Sequence, residues 1–326
     1  MKAIVYEKYG SADVVQLKDV EKPAPRDDEV LVKVAAASVN AYDWHFLSAD
    51  IFLIRLVGGL FKPKNTRLGA DVAGRVEAAG RDIRRFQPGD EVYGDIASFG
   101  KGSFAEYIAV PERVLAPKPV NLTFAEAAAV PMAALTALQG LRDQGQIRPG
   151  QKVLVNGASG GVGTFALQLA KVFGAEVTAV CSTRNLDKAR ALGADHVIDY
   201  TQEDFTQNGQ QYDLIFAANG YHPIAAYRRA LTPRGNYVMA GGSGAQMAQA
   251  LVMGPLMSKP EGKRLGALTT RINQEDFALL KELLEAGKVV PVIDRIFPLR
   301  EAAEALRYLG TGHAQGKVVI TMEDKG

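Results

Sequence analysis

The chain carries a single cysteine, Cys181, among its 326 residues. One thiol closes no intrachain disulfide and builds no thiolate-rich metal centre. Histidine is scarce as well. His45, His196, His222 and His313 are scattered along the chain, with no metal-ligand spacing between them. An excess of one charge is missing: 38 Lys and Arg face 36 Asp and Glu, a formal net charge of +2. That balance points to neither nucleic acid nor an anionic membrane. Long apolar runs are lacking too. "IFLIRLVGGLF" and "LVMGPLM" are far shorter than the roughly 20 residues of a membrane span, and the first contains Arg55. The N-terminus, "MKAIVYEKYG", alternates like a strand and has no apolar signal-peptide core. With the lone cysteine, these features lead us to expect a cytoplasmic protein.

What is present is ordinary globular composition, 47% hydrophobic and 23% charged, in a chain long enough for two domains. Up to Val120 the sequence reads as β-rich. "AIVYE", "VVQLKDV", "EVLVKVAAASV", "GRVEAAG" and "DEVYGDI" are short Val- and Ile-bearing runs separated by Gly, Pro and Asp. Next comes an alanine-rich helical stretch, with Thr123 and Glu126 spaced as a capping box and Pro131 set to break or kink it. From Gln151 strand and helix alternate, and the strands are apolar throughout. That pattern implies a parallel sheet covered on both faces. The segment from Ala245 to Met257 breaks the regularity and reads as an inserted flap. Its Met247, Met253 and Met257 either line a plastic pocket or pack in the core. A last helix is expected between Asn273 as N-cap and Gly287 beyond its end. The tail, "VVPVIDRIFPL" and "GKVVITM", returns to strand character and is expected to rejoin the first domain.

The most informative stretch is "NGASGGVG". It lies between a predicted strand, Lys152 to Val155, and a predicted helix from about Val162. A helix start presents unpaired N–H groups and a partial positive charge, and a pyrophosphate meets both if side chains are excluded. Gly157, Ala158, Ser159, Gly160, Gly161 and Val162 are therefore the candidate dinucleotide cradle of a Rossmann-type domain. Ser159 either touches the phosphate or caps the helix. An NAD site would place an acidic residue at the end of the second strand. Here "VTAVCSTRN" offers Ser182 and Arg184 instead, which suits the 2′-phosphate of NADP. Asn219 and Gly220 end the fourth strand, and Gly241 and Gly242 the fifth, where ligands of such sheets bind.

The stretches "AASVNAYDW", "LGADVAGRVEAAG", "RFQPGDEVYG", "GSFAEY", "AALTAL", "NGASGGVG", "LGADHVIDY" and "HAQGKVVI" together resemble the medium-chain dehydrogenase/reductase superfamily, specifically its zinc-independent quinone oxidoreductase branch. The likeness runs over essentially the whole chain. It implies an α/β protein with a GroES-like β-rich catalytic domain at 1–121 and 290–326 and a Rossmann doubly wound parallel-sheet NADP-binding domain at 122–289. It also implies a homodimer and NADPH-dependent reduction of a small-molecule quinone or α,β-unsaturated carbonyl. By that resemblance Asn40 lies near the nicotinamide, Thr136 on the nicotinamide side, Tyr200 beside the 2′-phosphate and Lys317 close to the cofactor. For each a plainer role stays open: a turn Asn, a helix-face Thr, a strand-end aromatic, a surface Lys. Asn40, Tyr42 and Asp43 are the catalytic candidates, with packing the alternative for Tyr42 and helix capping for Asp43. Zinc-dependent relatives carry a cysteine ligand and a Gly-His-Glu motif where this chain has Asn40 and Ala70–Asp71. No metal is therefore expected. An alcohol or aldehyde dehydrogenase using zinc, or a non-catalytic NADPH-binding protein, are the competing readings.

Overall fold

Runs of Val, Ile and Ala in the first third of the chain become strands in the computed structural model, which describes residues 1–242, 244–258 and 262–322. The chain divides into two compact units. The first comprises Met1–Met132, Ile272–Ala286 and Pro291–Gly326, and the second Ala133–Arg271 and Gly287–Val290.

In the first unit β1 (Lys2–Val5) pairs antiparallel with β2 (Gln16–Asp19). The long β3 (Glu29–Val39) organises the larger sheet. One edge pairs with β4 (Asp71–Ala79), which pairs in turn with β5 (Glu91–Asp95). The other edge takes β6 (Tyr107–Pro111) along its N-terminal half. β7 (Leu115–Pro117) adds beyond β5. Alternation explains the burial: Val30, Val32 and Val34 enter a core with Val72, Val92, Ile108 and Val110, while Lys33 points to solvent. Each such buried valine contributes about 1.5–3 kcal/mol before entropy is counted.

The alanine-rich stretch forms two helices. Phe124–Ala128 is closed by the expected capping box: Thr123 Oγ1 accepts from Glu126 N, and Glu126 Oε2 accepts from Thr123 N at 2.8 Å. Pro131 then opens a second helix, Pro131–Gln139, at a position where its missing N–H costs nothing.

The second unit is a six-stranded sheet built from β8 (Lys152–Asn156), β9 (Glu176–Cys181), β10 (His196–Asp199), β11 (Tyr212–Ala217), β12 (Leu231–Met239) and β13 (Arg264–Ala267). All neighbours are parallel, in the order β10-β9-β8-β11-β12-β13. This is the doubly wound order of a Rossmann-type sheet, with the reversal beside β8. Val153, Leu154 and Val155 have no exposed surface, as a strand covered on both faces requires.

The segment read as a flap is instead the crossover from β12 to β13. It runs helically from Gly244 to Ser258, buries Gln246 and Ala250, and packs Met247 and Met257 against a core containing Tyr237, Met239 and Leu265. Parallel strands need a connection of about a dozen residues or more, so this stretch does structural work. Met253 faces outward, 44% exposed.

The helix Gln274–Glu285 begins at Asn273, whose side chain accepts from Asp276 N at 2.8 Å. Gly287 beyond its end has φ +66°. The bounds of the first unit take in this helix and residues 122–132, both of which the sequence reading grouped with the cofactor domain. Contacts explain the grouping. Phe277 meets Tyr93 edge-on at 5.3 Å, Val120 N donates to Glu285, and Asn121 Nδ2 donates to the Leu284 carbonyl. The tail returns as β14 (Ile293–Pro298) and β15 (Lys317–Thr321), and β15 pairs with the C-terminal half of β3. No helix among the described residues is long and apolar enough to cross a membrane.

Candidate functional site

The first unit places a buried polar cluster where β3, β4, β5 and β15 run side by side. Register builds it. Ser38 lies opposite Asp71, and Asp71 opposite Asp95. On the other edge of β3, Val39 is opposite Val318, which sets Lys317 beside Asn40. Asp71 has no exposed surface, and Lys317 is 3% exposed. Asp71 Oδ2 accepts from Ser38 Oγ at 2.5 Å, Asn40 Nδ2 at 3.0 Å and Lys317 Nζ at 3.3 Å. Its Oδ1 accepts from Met132 N at 2.8 Å. Four donors on one carboxylate offset its desolvation. Lys317 also donates to Asn40 Oδ1. It is therefore a buried ion-paired lysine, and the surface alternative does not hold.

Asn40 stands at the N-terminus of the helix Ala41–Ser48. Asp43, in the first turn, is fully buried. One of its oxygens accepts from Asn40 N and the other from Gly69 N, both at 2.8 Å. Burial outweighs these two bonds and lifts its carboxyl to about 7. Asp95 is pushed up as well, by burial and by Asp71 across the strand pair. Tyr42 is half-buried, stacks on Phe46 at 4.4 Å between centroids and donates to the Ala97 carbonyl at 3.1 Å. Burial pushes its phenol up to about 12.

The second unit carries the glycine loop at the end of β8. Gly157 has φ +81°, and a Cβ there would lie 2.7 Å from Asn219 N. A Cβ on Gly163 would lie 2.1 Å from the Gly157 carbonyl oxygen. Both glycines are demanded by the fold itself. Gly160 is different: a Cβ would meet only the Gly157 carbonyl oxygen, at 3.6 Å. Its outer side is open, so this is where a ligand can reach the backbone. Gly160 is the N-cap of the helix Gly161–Val172 and gives it no side-chain cap. The first-turn N–H groups, Val162 among them, thus lack helical acceptors. Ala158 is buried, and its N–H donates to the Val180 carbonyl. Ser159 precedes the N-cap and makes no side-chain bond among the described contacts, so capping is not its role. These features fit a dinucleotide pyrophosphate.

The remaining strand ends converge on the same side of that sheet. Asn219 N donates to the Asn156 carbonyl, and Gly241 N to that of Ala217. Asn219 and Gly220 are exposed, and Gly242 has φ +131°. Thr136 is buried in the helix Pro131–Gln139. β10 runs parallel to β9 with Asp199 opposite Cys181, so Tyr200 follows directly beside Ser182. Arg184 and Tyr200 are both exposed there. Ser182 Oγ accepts from Asn185 Nδ2 at 3.0 Å.

Four residues of these sites escaped the sequence reading. Asp95 and Ser38 look like ordinary strand residues, and Asp71 was noted only for where zinc ligands would fall. Asp199 is the fourth. Its carboxylate sits at the end of β10 and accepts from Thr183 Oγ1 at 2.5 Å and Thr201 Oγ1 at 2.8 Å. Those hydroxyls hold it below the usual carboxylate range. No three His, Cys, Asp or Glu side chains among the described residues are grouped as a metal ion requires. His45 instead faces Asp50, at 2.9 Å.

Comparison with known proteins agrees with this architecture. Residues 26–120 match the alcohol dehydrogenase GroES-like domain family, and residues 192–320 match a family described as zinc-binding dehydrogenase. The β-rich domain is therefore GroES-like. A 2-methylene-furan-3-one reductase of Solanum lycopersicum is 41% identical over 335 residues, covering 98% of this chain and 79% of that protein. An NADPH-dependent alkenal/one oxidoreductase, chloroplastic, of Arabidopsis thaliana is 36% identical with the same coverage. The solved quinone oxidoreductase from Coxiella burnetii superposes with a TM-score of 0.88 at 32% identity, covering 99% of both chains.

Proposed function

Because the chain belongs to the medium-chain dehydrogenase/reductase superfamily, in its quinone oxidoreductase and alkenal reductase branch, we propose that it is an NADPH-dependent, zinc-free reductase of quinones or α,β-unsaturated carbonyl compounds. The observation that carries the cofactor is the open backbone at Gly160, at the start of an uncapped helix beside the sheet's reversal. NADPH bound there supplies a hydride to an electron-poor carbon. The loop from Gly157 to Val162 holds its pyrophosphate. Ser182 and Arg184 meet its 2′-phosphate, with Tyr200 beside them. Asn219, Gly220, Gly241 and Gly242 line the strand ends, and Thr136 serves the nicotinamide side. In the first unit Asp43 is a positioning residue: its two oxygens hold the backbone N–H groups of Asn40 and Gly69. Tyr42 orders the same helix through Phe46 and Ala97.

The printed activities of the tomato and Arabidopsis relatives support conjugated carbonyls as substrates. The description "zinc-binding dehydrogenase" of one matching family favours a second reading, a zinc enzyme oxidising alcohols. Against it stands the donor set, since catalytic zinc takes three protein ligands. The family resemblance also leads us to propose a homodimer, and the single cysteine a cytoplasmic location.

One experiment separates these readings. NADPH oxidation is followed with quinones, alkenals and cyclic enones, with and without chelator, beside NADP-linked oxidation of simple alcohols. Fast, chelator-insensitive turnover of conjugated acceptors is expected. Faster alcohol oxidation that zinc restores after chelation would overturn the proposal. Tight NADPH binding without turnover would support a non-catalytic binding protein.

A further inference from the structure

We propose that the apolar turn following the helix Phe52–Gly58 docks the protein on an anionic lipid bilayer, lying in its surface without spanning it. The inference stands apart from the reductase reading above. It starts from exposed apolar area in the first unit. Leu56 is 57% exposed, Val57 67%, Leu60 47% and Phe61 88%. Single apolar side chains at a surface are ordinary, but four within so short a stretch form a patch.

The turn is built to present them. Gly58 lies against Phe46 and Tyr9, where a Cβ would stand 3.3 Å from one ring and 3.4 Å from the other's hydroxyl. The Tyr9 hydroxyl donates to the Gly59 carbonyl at 2.7 Å, and Lys64 N donates to that of Gly58 at 2.7 Å. Gly59 has φ +123°, which lets the chain turn away from the helix. Gly59 and Pro63 are buried, while Leu60, Phe61 and Lys62 between them are exposed. The base of the turn is thus held and its tip stands out.

Charge identifies the occupant. From Ile51 to Ala70 the chain carries Arg55, Lys62, Lys64 and Arg67 but no Asp or Glu. The near-neutral total of the whole protein conceals this local excess. Elsewhere exposed cations pair with carboxylates, as Lys18 does with Glu7 and Arg81 with Asp27. Here Arg55 lies over the Tyr9 ring, and Lys64 Nζ donates to the Val57 carbonyl beside the patch. Apolar side chains among cations fit an anionic bilayer: the rings and alkyl groups enter the acyl boundary, and the cations meet headgroup phosphates. A second copy fits poorly, because a two-fold contact would set like charges together. Four side chains also expose far less than the roughly 800 Å² per partner of a specific protein interface. A bilayer asks for no matching shape.

The test uses the full chain and vesicles of phosphatidylcholine, alone or mixed in equal parts with phosphatidylglycerol. Sedimentation should show binding to the mixed vesicles and little to phosphatidylcholine alone. Leu60→Ser/Phe61→Ser should weaken that binding about tenfold or more, with an unchanged melting temperature because both side chains are exposed. Lys62→Gln/Lys64→Gln should weaken it about tenfold. Phe61→Trp adds a reporter at the tip, and bromine-labelled acyl chains should quench it. The native Trp44, whose ring lies against Gly310, should be spared in the wild type. A wild type that binds neither vesicle would overturn the inference. So would binding that the serine pair leaves intact, or a tryptophan at 61 that the labelled chains do not quench. Self-association without lipid, abolished by the serine pair and with no vesicle binding, would assign the turn to a second copy instead.

Discussion

Arg184 carries the proposed choice of cofactor. It stands exposed at the end of β9, beside Ser182 and Tyr200. A guanidinium meets a phosphate with charge-assisted hydrogen bonds, each worth about 1.5–3 kcal/mol. Solvent screening at an exposed site leaves roughly 2 kcal/mol, or about 30-fold. Steady-state kinetics of Arg184→Ala should therefore show a KM for NADPH raised by about that factor, with the KM for NADH nearly untouched. Asp199 sharpens this expectation. An acidic group at a neighbouring strand end would suit a free ribose hydroxyl, but here its carboxylate is engaged by Thr183 and Thr201. Equal weakening of both cofactors would mean that Arg184 supports the loop and does not read the phosphate. The buried pair behaves differently from this exposed arginine. Lys317→Met alone strands the Asp71 carboxylate in a dry interior, and urea unfolding should record a loss of about 3–5 kcal/mol. Neutralising both residues should recover much of that loss.

The glycine loop separates two meanings that a sequence pattern merges. Gly163 admits no side chain because the Gly157 carbonyl lies where a Cβ would go. Gly163→Ala should lower the melting temperature sharply, whether or not cofactor is present. Gly160 has open space beside it and ordinary φ, −78°. Gly160→Ala should melt like wild type yet bind NADPH at least tenfold more weakly, since a methyl group would stand in the path of the phosphate. Calorimetry of the two variants, with and without NADPH, checks the contrast. At the same scale the sequence was easy to read. The capping box at Thr123, the N-cap at Asn273 and the apolar runs of β8, β9 and β11 are local signals, and each became the element it announced. The stretch from Gly244 to Ser258 was harder, because its glycines and methionines hide a helical period that only packing against β12 and β13 completes.

For the whole molecule, the two raised carboxyls set a pH dependence. Asp43 titrates near 7 in the fold, against 3.8 for an ordinary aspartate, and Asp95 is displaced in the same direction. Across that window the native state binds more protons than the unfolded chain. Stability from these groups is therefore full below the unfolded value, declines as pH rises towards about 7, and then levels off. The melting temperature should fall between about pH 5 and pH 7 and change little above that. Asp95→Asn removes one of the two charges, so it should flatten that decline and raise the melting temperature at the upper end by several degrees. A wild-type melting curve that rises over the same range would contradict the assignment. Carboxylates held low, such as Asp195 with Lys171, act in the opposite sense and matter only in acid.

The sequence by itself determined the division into a β-rich part and a strand–helix repeat, and the start of the helix that follows the glycine loop. These depend on neighbours in the chain: side-chain period, capping residues and glycine spacing. It also brought Asn40, Tyr42 and Asp43 forward, since they share one short motif. Tertiary structure alone decided what those residues can do. Ser38, Asp71, Asp95 and Lys317 come from four strands far apart in sequence, and no local pattern joins them. Cross-strand register puts them in one row, burial strips them of water, and the resulting hydrogen bonds use up the donors of Asn40. A hydrogen bond's direction is fixed only when both partners are in place, which is why the sequence could name the motif but not its partners.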